Sequence, residues 1–142
     1  MADAPIPSVV AMLICDQVIV EQGTGKKSLI GVFEHIGAFS FPTQTRLAIY
    51  VKLVDASGHY DLLIRVVNLK DETKVAELKA EAPNLQPISA AEFAINIAGI
   101  VLPEAGKYEF QLYANDIYLH RVTMNATLMQ GGPQWPQQKL RR

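Results

Sequence analysis

Residues 102–113, Leu-Pro-Glu-Ala-Gly-Lys-Tyr-Glu-Phe-Gln-Leu-Tyr, constrain the fold more than any other part of the chain. Pro103 fixes φ near the value a turn needs at its second position, and Gly106 can take a positive φ at no steric cost. After Gly106 the side chains alternate. Tyr108, Phe110, Leu112 and Ala114 fall on one side; Lys107, Glu109, Gln111 and Tyr113 fall on the other. Period-two alternation with aromatic residues predicts an antiparallel strand with one buried face.

The same period recurs along the chain. In residues 45–55, Leu47, Ile49, Val51 and Leu53 share a face; in residues 59–70, Tyr60, Leu62, Ile64 and Val66 do. Ala56-Ser57-Gly58 between them reads as a three-residue hairpin loop with its glycine late. Residues 8–15 and 18–21 read as one strand interrupted near Asp16-Gln17, and residues 28–34 as another, with Gly31 at a bulge or under a close neighbour. Residues 35–44 and the Pro-rich residues 83–87 read as connections. Lys70-Asp71-Glu72-Thr73 reads as a turn into a strand over residues 74–81; residues 70–81 contain good helix formers but lack a sustained apolar stripe at 3.6 spacing. Residues 90–100 and 117–129 complete the set, with Asn115-Asp116 as a turn pair. Short strands separated by Gly/Pro turns indicate an all-β antiparallel sandwich of about 8–9 strands. The spacing Gly106-x-Tyr108-x-Phe110 resembles the corner of immunoglobulin-like sandwiches, where a Tyr hydroxyl bonds back to the backbone across the turn. The plainer alternative is a core tyrosine after an ordinary turn.

Longer motifs carry a family resemblance. Cys15-Asp16-x-Val18, then Thr24-Gly25-Lys26-x-Ser28-Leu29-Ile30-Gly31-Val32-Phe33, then Gly106-x-Tyr108-x-Phe110-x-Leu112-Tyr113-Ala114-Asn115 together resemble a family of short bacterial proteins classed as a domain of unknown function. The resemblance spans most of residues 10–130. It implies a single small domain and brings no activity, cofactor or catalytic residue.

Composition narrows the function. A chain of 142 residues is long enough for one well-formed core, and at 19% charged residues with half the chain apolar it is not disordered as a whole. A net charge of −1 argues against nucleic-acid binding driven by bulk electrostatics. Cys15 is the only cysteine, so no intrachain disulfide forms, and its apolar surroundings suggest an inert, buried thiol. No Lys or Arg precedes Lys26, and no apolar run approaches the ~20 residues a spanning helix needs. The expectation is a cytoplasmic protein that neither enters membranes nor binds nucleic acid.

No catalytic constellation, metal-ligand spacing or cofactor motif is apparent. Gly23-Thr24-Gly25-Lys26-Lys27-Ser28 superficially resembles a phosphate loop, but Val20 stands at the first glycine position and the segment that follows is strand-like. A weaker anion contact through Lys26 and Lys27 is the residual reading. His35, His59 and His120 sit in separate segments; His59 between Asp55 and Asp61 is the densest cluster. The expectation is that the chain is not an enzyme.

Surface features remain. Residues 59–70 are apolar on both faces, so Leu63, Val67 and Leu69, joined by Tyr50 from the supposed hairpin partner, would form an outward patch needing cover. The sequence divides into a sandwich domain at 1–130 and a Gly/Pro-rich basic tail at 131–142. In the tail, Trp135 with Leu140, Arg141 and Arg142 has the composition of an interface anchor. These features favour a non-catalytic, self-associating assembly module forming ordered oligomers or filaments. The alternatives are a small-ligand or anion-binding domain using Lys26 and Lys27, and an adaptor for another protein.

Overall fold

The structure is a computed structural model and describes residues 4–130. Nine strands fill it: β1 (Ser8–Val20), β2 (Lys27–Val32), β3 (His35–Ala38), β4 (Thr43–Val54), β5 (Gly58–Asn68), β6 (Thr73–Leu85), β7 (Ala91–Leu102), β8 (Gly106–Ala114) and β9 (Ile117–Leu128). They form two facing sheets, one of four strands in the order β2-β1-β4-β7 and one of five in the order β3-β9-β8-β5-β6. Every pairing is antiparallel except β3 with β9. This is an antiparallel β-sandwich, immunoglobulin-like in general form.

The core is the set of residues that the period-two pattern places inward. Leu47, Ile49, Val51 and Leu53 of β4 face Tyr60, Leu62, Ile64 and Val66 of β5 and Tyr108, Phe110 and Leu112 of β8, all almost completely buried. The connection between β4 and β5 is not the hairpin that its length and glycine suggest. The two strands lie in different sheets, and Asp55 and Gly58, both at positive φ, carry the chain across the end of the sandwich. A short glycine-bearing loop serves a hairpin or an arch equally well; the partner strands β8 and β7 decide between them.

Tyr108 closes the corner. Its hydroxyl donates to the Glu104 carbonyl at 2.6 Å and accepts from the Glu104 N–H at 3.3 Å, within a fully buried ring environment. Beside it, buried Asn68 donates to the Glu104 carboxylate at 2.8 Å and accepts from the Lys70 N–H at 3.0 Å, so the turn before β8 is tied to the end of β5. A second buried tyrosine, Tyr60, donates to the Pro5 carbonyl at 2.6 Å and pins the segment ahead of β1.

Two elements depart from the sequence expectation. Residues 35–38 form β3, which lies parallel to the last four residues of β9. Between β2 and β3 the chain crosses from one sheet to the other: the Phe33 N–H donates to the Ile14 carbonyl of β1, and the Asn125 N–H of β9 donates to the Glu34 carbonyl. One flank of the sandwich is thereby strapped shut. Pro83 falls inside β6 rather than in a loop, which the sheet tolerates because β6 is an edge strand with no further neighbour to bond.

Replacing Tyr108 with Phe keeps the ring and strips the Glu104 backbone groups of their buried partner. The expected loss is roughly 1–3 kcal/mol. It will appear in denaturant titration as a lower midpoint at unchanged slope.

Candidate functional site

The outer face of the four-stranded sheet holds Cys15, Ala48 and Tyr50, yet all three are buried. The cause is the path of β1. Its pairing with β4 ends at Cys15–Ala48, and beyond that point it pairs with β2 alone. Lys27 stands opposite Val20 at the far end of β1, whereas Glu92 lies level with Lys52 and Ala11 near its start. A straight β1 would hold these positions roughly 30 Å apart. Instead the Lys27 ammonium lies 3.4 Å from the Glu92 carboxylate. The strand therefore bends after Cys15, and the β1–β2 hairpin leans back across the outer face. Gly31, at positive φ, sits so near Asp16 that a Cβ there would meet the Asp16 carboxylate at 2.3 Å. The absence of a side chain at Gly31 is what lets the two strands close at the bend. The interruption read at Asp16-Gln17 is this bend.

Lys27, Glu92 and Tyr50 form a latch beneath the hairpin. The Tyr50 hydroxyl donates to the other Glu92 oxygen. Burial, then the neighbouring carboxylate, pushes the Tyr50 hydroxyl up to about 12. The hydrogen bond from Tyr50 and the charge of Lys27 hold the Glu92 carboxyl below its usual range, against a smaller opposing effect of burial. Lys27 is thus committed to an internal partner. Of the two lysines in the anion reading, only Lys26 is fully exposed, and its loop is occupied by its own contacts to Glu21 and Thr24.

The expected outward patch of Leu63, Val67, Leu69 and Tyr50 does not exist as one surface. Because β4 and β5 belong to different sheets, Tyr50 lies on one outer face of the sandwich, and Leu63 and Val67 lie on the other. Val67 is buried; Leu63 and Leu69 are half-buried. The same outer face carries a network of long side chains. Arg65 stacks over the Tyr113 ring at 5.0 Å and reaches Glu77 at 3.3 Å; Gln111 links Tyr113 to Glu109, and Arg121 lies 3.6 Å from Glu109. Trp135, Leu140, Arg141 and Arg142 lie outside the described residues. Gly106 has a positive φ, and Tyr108 and Phe110 are fully buried.

His35 and His59 lie apart, each with its own partner. His59 bonds Asp61 at 3.0 Å and His35 contacts Thr127 at 3.2 Å, both at the surface. Among the described residues no three His, Cys, Asp or Glu side chains gather as metal ligands. A solvent-open groove of about 650 Å³ lies where β1 leaves β4, lined by Asp16, Gln17, Arg46, Leu47, Asn96 and Ile97.

The sheet edges are more informative. Four strands end the two sheets: β2 and β7, β3 and β6. Three of them carry devices that resist further pairing. β3 is only four residues long. β6 bears Lys74, Glu77, Lys79 and Glu81 along its length, with Pro83. β2 starts at Lys27 and kinks at Gly31. β7 is neither short nor charged after Glu92: from Phe93 to Leu102 it has no charge and no proline, and its one irregularity comes late, at Ala98-Gly99. Its pairing with β4 is regular over Ala91, Phe93, Ile95 and Ile97, opposite Leu53, Val51, Ile49 and Leu47, and then shifts by one residue at Ala98-Gly99. Sequence reading saw the alternation in this segment but could not see that one side of it is free, because edge position is a property of topology.

The span that ties these elements together is also what relates the chain to other proteins. A family of unknown function, DUF6941, matches residues 10–127, from the first half of β1 to the penultimate residue of β9. The chain belongs to this family. The match spans the hairpin, the latch and the β7 edge, which all lie within the DUF6941 segment. No curated protein matches the chain. Among solved structures it is similar to the crystal structure of the CARDB domain of a Pyrococcus furiosus protein, determined in complex with di-metal ions. Identity is 9% and the TM-score 0.41, with 87% of this chain and 96% of that one covered.

The latch makes stability depend on pH. Glu92 ionises more readily in the folded state than at its ordinary value of 4.5, so its contribution is complete above that pH and is lost as pH falls through the lower folded value. Glu92→Gln removes this term. Thermal melts of the variant should fall less steeply than wild type on acidification below pH 4.5.

Proposed function

We propose that this chain is a non-catalytic assembly module that associates with copies of itself, giving ordered oligomers. The observation that carries the reading is the unguarded β7 edge. A long strand uncharged after its second residue, with unpaired backbone donors and acceptors on one side, is a template for strand addition. Natural sheets usually blunt such edges, and this chain does so at the other three.

Exposed apolar side chains add to the same reading. Ile19, Ile30 and Val32 of the β1–β2 hairpin are each about half exposed. They offer a second contact, and a second contact that does not close on itself would extend a pair into a filament. The basic tail meeting an acidic neighbour belongs to the same proposal. The anion-binding reading is weakened by the engagement of Lys27 with Glu92.

Native mass decides the matter. The monomer is 15.7 kDa. Light scattering should return an integer multiple of this mass at micromolar concentration, and a chain ending at Gln130 will separate the tail's share from that of the sandwich. A strictly monomeric particle for the full chain across that range would overturn the reading.

A further inference from the structure

Resting on the reading that the chain self-associates, we infer that two copies join through β7 in one register: antiparallel about a two-fold axis at Ala94, fusing the two four-stranded sheets into one of eight strands. The regular part of the edge sets this register. It runs over residues 91–97, between the strand start and the shift at Ala98-Gly99, and Ala94 is its midpoint.

Pairing about Ala94 opposes like with like on both faces. On the inward face Phe93 meets Ile95 of the second copy and Ala91 meets its Ile97, apolar against apolar. On the outward face Ala94 meets Ala94, and Glu92 meets Asn96 of the second copy. Aromatic and β-branched cross-strand pairs are favourable, and like charges directly opposite are not. A slip of one residue would set Phe93 against Asn96 and Glu92 against Ile97, since every side chain then changes partner class. A two-residue shift toward the C-terminal end runs into the irregular Ala98-Gly99 pair; one toward the N-terminal end leaves Ile97 without a strand opposite.

Charge and burial select a second copy as the occupant. Glu92 is compensated within its own subunit by Lys27, so two edges approach without net repulsion and with no charge over Phe93–Leu102 left to satisfy. Phe93 and Ile95 point toward the core but stay only half-buried at the edge, whereas their opposite numbers Val51 and Ile49 on β4 are fully buried. An added strand completes that burial. A two-fold pair of this kind closes on itself and uses each β7 once.

Two experiments on the full chain test this. Ala94→Cys, treated with oxidant or a short bis-maleimide, should give a covalent dimer, because residues directly opposite in antiparallel strands have Cα atoms about 4.5–5.5 Å apart. Buried Cys15 supplies little background, and Ile88→Cys, on a loop at 94% exposure, is the control for random collision. Ala94→Lys and Ala94→Glu should each weaken association by roughly tenfold or more, and a mixture of the two should restore it. Circular dichroism and melting of each variant confirm folding. If wild type is oligomeric by mass but Ala94→Cys links no faster than Ile88→Cys and the mixture restores nothing, this pairing is overturned and self-association stands. If wild type is monomeric, both are overturned.

Discussion

A β-strand leaves hydrogen-bonding groups on both of its sides, and the fold is a set of answers to where each row goes. β4, β5, β8 and β9 are satisfied on both sides along some or all of their length by neighbours in the same sheet, whereas β1 has β4 beside its first half and β2 beside its second, with Cys15 paired to both. The remaining rows meet solvent, and the chemistry of each edge follows from that. β6 is dense with charge, β3 is short, and β2 is bent away at a glycine. β7 differs from them in composition alone, and that difference cannot be explained by the core. Its inward residues would pack against β4 equally well if Asn96 and Ala98 were lysines.

Most of the architecture was legible because burial enforces period two. Eight of the nine strands occur where the sequence reading put them, give or take a few residues; the exception is β3, whose four residues around Gly37 are too few to show any period. The Tyr108 corner was legible for a different reason: a glycine turn followed by Tyr-x-Phe has few other uses in a sandwich. What could not be read was connectivity in three dimensions. Ala56-Ser57-Gly58 has the same appearance whether the chain folds back within a sheet or steps across to the other. Assigning it to a hairpin joined Tyr50 to Leu63 in one patch, although the sandwich sets them on opposite outer faces. Apolar residues on both faces of β5 need no second subunit at every position: Val67 lies on the outer face opposite Glu109 of β8 and is already buried within the sheet.

The latch illustrates a second limit. Lys27 and Glu92 are 65 positions apart, and nothing in either segment announces the other. Their contact depends on a bend that only Gly31 permits. Lys27 looked like a free cation in a glycine-rich loop, the ordinary appearance of an anion-binding lysine. The structure assigns it instead to holding a hairpin against a sheet. Loop composition reports which conformations are available and not which long-range partner selects one.

The strap at Phe33-Glu34 has a mechanical consequence. Successive residues there bond to β1 of one sheet and β9 of the other, so that flank resembles the spine of a book, fixed through the main chain itself. The opposite flank, where β6 and β7 face each other without a ladder between them, is the fore-edge. The two leaves are therefore joined by backbone hydrogen bonds at the β1 and β9 side, whereas on the other side the β6–β7 connection joins them.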